Sequence, residues 1–283
     1  MGVVPHKCGD PITPEIRYLD DNLTMDYPFP SYKNPPLNEV SIGLQFQPLE
    51  KLKIPHFGLF WELIRKDFPN VEHAPPILKK DMEHVKWLPL PRVWFIDKSD
   101  AQLLQLQADR INFNWRSREG ADCYPRYRTI APQFFSYLET FEQFLGNTDI
   151  GIILPTVAEV TYINTFEQGK EWSTTEDLPT VFKDFAWTRE KKRFLPNPTN
   201  VGWAVSFALP NQQGTLNARL SEGLRVVDKK KILQLEMTAN YPVQGDSPQT
   251  LRPWYELAHE WIVKGFDDLT QPDAQKTFWG REK

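Results

Sequence analysis

Two short segments, far apart in the chain, carry one pattern and restrict the fold more than any other feature. Residues 39–46 read Glu-Val-Ser-Ile-Gly-Leu-Gln-Phe, and residues 159–166 read Glu-Val-Thr-Tyr-Ile-Asn-Thr-Phe. Both begin Glu-Val and end in Phe. In the first, Val40, Ile42, Leu44 and Phe46 alternate with Glu39, Ser41, Gly43 and Gln45. Period two marks a strand with one buried face. A similar order of elements follows each segment, and this order, more than residue identity, suggests a tandem duplication.

In the first half the spacing of Phe57, Phe60, Trp61, Ile64 and Phe68 predicts a helix over 57–68. Residues 69–91 are punctuated by proline and read as irregular. Strands are expected at 92–96, 103–107 and 111–116, joined by short polar links that suit antiparallel hairpins. A helix over 132–145 follows, with Pro132 in its first turn and Gly146 just past its end. In the second half Leu178, Val181, Phe182 and Phe185 suggest a helix over 176–187. Strands at 202–209, 215–220 and 232–241 come next, then a helix over 251–269 and a short helix from Pro272. The expected fold class is α+β: a duplicated β-α-βββ-α unit whose antiparallel sheet has helices on one face. The shape would be that of the TATA-binding-protein saddle or of a helix-grip. The expected division is an extended arm over 1–36, a first repeat over 37–149 and a second over 150–283. The register within the three-strand blocks stays open, because Leu-Leu-Gln-Leu-Gln at 103–107 looks most like Ile-Leu-Gln-Leu-Glu at 232–236, a middle strand against a last one.

Alternation also describes the opposite face of such a sheet. It would carry Glu39, Ser41 and Gln45, then Gln105, Gln107, Asn112, Asn114 and Arg116, then Glu159, Thr161, Asn217, Arg219, Gln234, Glu236 and Thr238. That face is polar and slightly acidic. The formal net charge is −4, and nucleic-acid binders usually carry a basic surplus. Ten Trp and 18 Phe provide ample core material, so a folded globular chain is expected. Two cysteines, Cys8 and Cys123, are too few for a disulfide scaffold of this length and fit free thiols in a reducing cytoplasm. No apolar run is long enough to span a membrane, and the first residues lack a secretion signal.

Few residues stand out for chemistry. Arg110, Arg116, Arg118, Arg126 and Arg128, interleaved with Tyr124 and Tyr127, form either an anion- or RNA-contacting patch or a solvated loop neutralised by Asp109, Glu119 and Asp122. Glu39 and Glu159 hold matching positions and could approach one another near a pseudo-dyad, as a proton-tuning pair; otherwise they are two exposed strand starts. No two of the five histidines are spaced as a metal-ligand pair. His259 reads as a surface or partly packed helix residue. Cys123 lacks the partners of a nucleophile. No catalytic residue, metal site or cofactor is predicted.

Several motifs taken together add a resemblance. Pro-Pro-Leu-Asn-Glu-Val at 35–40, Phe-Gly-Leu-Phe-Trp at 57–61, Pro-Arg-Val-Trp-Phe at 91–95, Phe-Asn-Trp-Arg at 113–116 and Tyr-Pro-Arg-Tyr at 124–127 are part of it. The ending, His259-Glu260 through Phe-Asp-Asp-Leu-Thr at 266–270 to Trp279-Gly-Arg, continues it. The set resembles a sporadically distributed family of bacterial conserved-hypothetical proteins of unknown function. The resemblance covers most of the chain after residue 34 and implies an accessory role, in phage defence or a toxin–antitoxin pair. It brings no catalytic residues. It does single out Gln105, Gln107, Asp109, Arg110, Asn114, Arg116, Arg126, Tyr162 and Asn164; with Tyr124, Tyr127 and Glu159 these are the candidate binding residues.

Three functions follow. The first is a non-enzymatic interaction protein that engages a partner protein or a second copy of itself. The second is a nucleic-acid-binding regulator using the Arg110–Arg128 patch. The third is a small-molecule or enzymatic pocket between sheet and helices, anchored by Glu159, Arg116 and Gln107.

Overall fold

The computed structural model describes residues 29–75, 90–118, 124–185, 194–226 and 228–282. Cys8, Cys123 and most of the 1–36 arm therefore lie outside the described residues. The elements are β1 (Leu37–Phe46), α1 (Ile54–Ile64), β2 (Asn70–Ala74), β3 (Arg92–Ile96), β4 (Gln102–Gln107), β5 (Arg110–Arg116), α2 (Tyr127–Asn147), β6 (Pro155–Glu167), β7 (Gly202–Ala208), β8 (Thr215–Leu224), β9 (Lys231–Pro242), α3 (Arg252–Leu269) and α4 (Pro272–Trp279).

The nine strands among the described residues join one sheet in the order β2-β3-β4-β5-β1-β6-β9-β8-β7. Every pairing is antiparallel. The fold is α+β, as expected. β1 and β6 are adjacent at the centre, with Ser41 opposite Thr161. Outward from β1 come β5, β4, β3 and β2; outward from β6 come β9, β8 and β7. β4 is thus two strands from β1, whereas β9 touches β6 directly, so 103–107 and 232–236 take different places in the sheet despite their likeness.

Alternation sorts the side chains as the sequence suggests. Val40, Ile42, Leu44, Phe46, Ile111, Phe113, Val160 and Phe166 are buried on one face. There α1 lays Phe60 against Phe95 and Phe141, and α2 sets Phe141 against Phe46. α3 meets α2 through Tyr255, whose ring contacts Phe134 and Phe135. Its hydroxyl donates to the Gly43 carbonyl at 2.8 Å, tying α3 to the middle of β1. Each such aromatic contributes about 1.5–3 kcal/mol through burial.

Four expectations need correction. Residues 69–91 hold the edge strand β2, a short, half-polar stretch with little period-two signal. α1 runs Ile54–Ile64, three residues early, and Phe68 packs from the turn beyond it. α2 begins at Tyr127, so Pro132 is interior; its missing N–H removes one helical hydrogen bond, and the buried residues on either side hold the helix together. The predicted helix over 176–187 is a 3-10 turn, Thr175–Thr180, with Pro179 inside it. Asp177 caps that turn, accepting from the Ser173 and Thr174 amides at 2.9 and 2.8 Å. Phe182 still reaches the core and packs edge-on against Phe166, and Trp279 of α4 covers the same ring.

Residues 31–34 are clasped to residues 279–282. Tyr32 bridges Arg281, the Lys33 and Asn34 amides donate to the Gly280 and Trp279 carbonyls, and the Glu282 amide donates to Ser31. Beneath them the Tyr32 hydroxyl donates to Asp267 at 2.5 Å, and Arg281 pairs with the same carboxylate at 2.9 Å.

The hairpin between β7 and β8 turns on Gly214, at φ +99°. A Cβ there would lie 1.9 Å from the Asn240 carbonyl oxygen. Gly214→Ala is expected to lower unfolding free energy by at least about 1–3 kcal/mol, read by urea denaturation. An unchanged midpoint and slope would contradict this turn geometry.

Candidate functional site

The residues singled out from the sequence fall into two groups on opposite sides of the sheet. Gln105, Gln107, Arg110, Asn114, Arg116 and Glu159 stand on the polar face, where the registers of β1, β4, β5 and β6 put them. Asp109, in the β4–β5 turn, joins them: it accepts from Gln107 at 3.1 Å and from Arg110 at 3.2 Å. Tyr124, Tyr127, Tyr162 and Asn164 are on the helix-covered side. On β6, Tyr162 lies opposite Val40 and Asn164 opposite Leu235, a phase set by the alternation itself. Arg126 projects from the α2 N-terminus.

The polar face holds a hydrogen-bond relay across four neighbouring strands. The Trp94 indole N–H (β3) donates to Gln105 Oε1 (β4) at 3.0 Å. Gln105 Nε2 donates to Asn114 Oδ1 (β5) at 2.7 Å. Asn114 Nδ2 donates to Glu39 Oε1 (β1) at 2.5 Å. Burial pushes the Glu39 and Glu159 carboxyls above the usual range; the Asn114 hydrogen bond opposes this for Glu39, and the charge of Arg110 opposes it for Glu159. Two guanidiniums flank the Trp94 ring, Arg92 at 5.2 Å and Arg116 at 5.7 Å from its centroid, within cation–π range. Arg116 also pairs with Asp100, which takes Arg118 at 2.6 Å on its other oxygen. The Nε atoms of Arg92 and Arg116 are buried without a hydrogen-bond partner among the described residues. This relay was partly legible in the sequence; Trp94 and Arg92 were not, because neither belongs to the alternating polar set that drew attention to β4 and β5.

The register corrects two expectations. Glu39 lies opposite Ile163 and Glu159 opposite Gly43, so the two carboxylates are four residue levels apart, roughly 13 Å along the strands, and do not form a pair. Glu159, Arg116 and Gln107 face away from the helices, so they anchor no pocket between sheet and helices. Four of the five arginines are held at separate places rather than in one patch. Arg110 faces Asp109, Arg116 and Arg118 share Asp100, and Arg126 bonds the Tyr32 carbonyl at 3.1 Å. A groove of about 190 Å³ lies elsewhere, between α1 and the β2–β3 edge, lined by Ile54, Phe57, Trp61, Val71, His73 and Phe95. Among the described residues no group of three or more His, Cys, Asp or Glu could hold a metal ion.

Beneath the helices, His259 gathers the second group. Its Nδ1 is 2.8 Å from the Tyr162 hydroxyl, which is 3.2 Å from that of Tyr124. Its ring stacks on Tyr127 at 4.0 Å, nearly parallel, and meets Phe29 at 5.4 Å. Burial, with the charge of Arg128 second, pulls the imidazole down to about 3. Burial pushes Tyr124 up to about 12, opposed by its hydrogen bond with Tyr162. His259 is partly packed on α3, as the sequence suggests, but its partners are not foreseeable there, because a lone histidine carries no spacing signal. The available clue was Tyr255, four residues earlier on the same helical face.

No family model and no curated protein matches the chain. Among solved structures it is similar to DynU16, a protein of the dynemicin biosynthetic locus. That likeness covers 82% of this chain and 98% of the other at 8% identity and a TM-score of 0.24, and nothing about function is carried over from it. No helix among the described residues is long and apolar enough to cross a membrane.

Two outcomes follow. Asn114→Ala removes the middle of the relay and leaves Gln105 and Glu39 short of a partner; the expected loss is about 1–3 kcal/mol in urea unfolding, and a neutral result would show the relay to be incidental. Acid stability tests the histidine. A depressed folded-state value means that the neutral imidazole stabilises the fold fully above about 6.5 and that this is lost as pH falls toward 3, by up to about 1.4 kcal/mol per pH unit. Between pH 7.5 and 5 the native protein should lose more stability than His259→Gln; equal losses would refute it.

Proposed function

We propose that this chain is a non-enzymatic binding protein that recognises a partner protein through its polar sheet face. One observation carries the reading: the Trp94–Gln105–Asn114–Glu39 relay, flanked by Arg92 and Arg116. Residues fixed in this way lose little freedom on association, so more of the contact energy survives as affinity. Tryptophan and arginine dominate the energetics of many protein interfaces, and here they sit on rigid strands.

The same proposal includes a tandem duplication. The order outward from β1 (β5, β4, β3) is mirrored from β6 (β9, β8, β7), and Glu39 and Glu159 fall two residues before the facing pair Ser41 and Thr161. It also includes a cytoplasmic setting and the bacterial accessory role that the family resemblance implies. The nucleic-acid alternative gains little support from Arg110, Arg116 and Arg118, which pair with aspartates.

Affinity capture from the native host tests the central claim. Wild type should retain a defined partner near equimolar ratio. A Trp94→Ala, Arg116→Ala double variant should lose it by at least about tenfold, since central interface residues of these types often contribute 2 kcal/mol or more. Lys276→Ala, on α4, should retain it. A partner held equally by all three proteins, or none held by the wild type, would overturn the proposal.

A further inference from the structure

The two edges of the sheet differ in a way that bears on assembly. β2 is short and carries Glu72 and His73. β7 reads Gly-Trp-Ala-Val-Ser-Phe-Ala, with neither charge nor proline. Natural edge strands usually carry such features to discourage pairing with another chain. Along β7, Trp203, Val205 and Phe207 lie opposite Leu220, Ala218 and Leu216 of β8, on the helix side. Gly202, Ala204, Ser206 and Ala208 lie on the polar face. Val205 is 40% exposed and Phe207 41%. Near the opposite edge, α1 covers Phe95 of β3 with Phe60. On this side the 3-10 segment brings Phe182 to Phe166 of the central β6 instead.

We infer that β7 is the seam of a homodimer, paired antiparallel with the same strand of a second copy. A two-fold axis perpendicular to the sheet and passing beside Val205 sets Val205 opposite Val205 of the partner subunit. Trp203 then faces Phe207 of the partner subunit, Ala204 faces Ser206 of the partner subunit, and Gly202 faces Ala208 of the partner subunit. Large residues meet large ones on the helix side and small meet small on the polar side. All of β7 is paired, and no like charges meet. An unrelated strand would need this same alternation, whereas a second copy has it by identity. Cross-strand aromatic pairs add to the ladder hydrogen bonds. The β1–β6 seam inside each chain already has this geometry. The inference does not rest on the partner-binding proposal, but it has a consequence for it: two polar faces would be displayed side by side, so a two-site partner would bind with avidity.

Sedimentation of the full chain between about 1 and 100 µM should show a reversible monomer–dimer equilibrium, a range that spans common self-association constants. Val205→Lys sets two ammonium groups face to face at the axis and should raise the dimer dissociation constant at least about tenfold, with near-UV circular dichroism unchanged. Val71→Lys, on the β2 edge, should leave it unaltered. A second measurement is independent of the lysine variant's folding. In a Cys8→Ser, Cys123→Ser background, Val205→Cys should oxidise to a dimer linked through position 205, because facing Cβ atoms in an antiparallel pair lie within disulfide reach. A monomer at the highest concentration, a dimer indifferent to a folded Val205→Lys, or failure to form the 205–205 disulfide would overturn the inference.

Discussion

The pairing of β1 with β6 is the contact on which the rest of the architecture depends. Without it there are two small sheets, each with a bare edge and a half-covered apolar face. With it, Val40, Ile42 and Leu44 lie beside Tyr162, Val160 and Ala158, and the helices of both halves close over one continuous layer. Tyr255 locks that arrangement from above, since its hydroxyl on α3 reaches the Gly43 carbonyl at the middle of β1. α3 belongs to the second half and β1 to the first, so this hydrogen bond and the strand pairing reinforce one another across the seam.

The same seam fixes what the polar face can do. Placing Ser41 opposite Thr161 holds Glu39 and Glu159 apart, so they share no proton, although the charge of Glu236 bears on both. Glu39 becomes the terminus of a relay that starts at Trp94; Glu159 sits nearer Arg110. The face is thus uneven, with aromatic and cationic groups gathered on the β3–β5 side. On the β6–β9 side the Thr161 hydroxyl meets that of Thr238 at 2.9 Å.

How much of this was legible depends on the range of the interaction. Period-two alternation is local, so the strands at 39–46, 111–116 and 159–166 and the whole polar set on β1, β4, β5, β6, β8 and β9 could be read directly. Leu178, Val181, Phe182 and Phe185 fall on one helical face and so imitate a helix over 176–187; a proline at 179 and the Asp177 cap favour a tighter turn, and tertiary packing accepts Phe182 from either conformation. Pro132 has the look of a first-turn residue, which hides the start of α2, while buried Ile130 and Ala131 hold the preceding residues in the helix. The site was legible only in part. Gln105, Asn114 and Arg116 announce themselves by alternation, but Trp94 joins them only through register. His259 meets Tyr162 and Tyr127 only once three separate elements have come together.

The clasp between residues 31–34 and 279–282 holds together two stretches that lie far apart in the sequence: Tyr32 and Asp267 are separated by 235 positions. Trp279 covers the buried ring of Tyr32, and Arg281 reaches the same carboxylate. The entropy of closing a loop rises only slowly with its length, so a few contacts gathered at one place can offset it. The clasp thus works as a hem: opening it would free both stretches at once while the β1–β6 seam stays stitched.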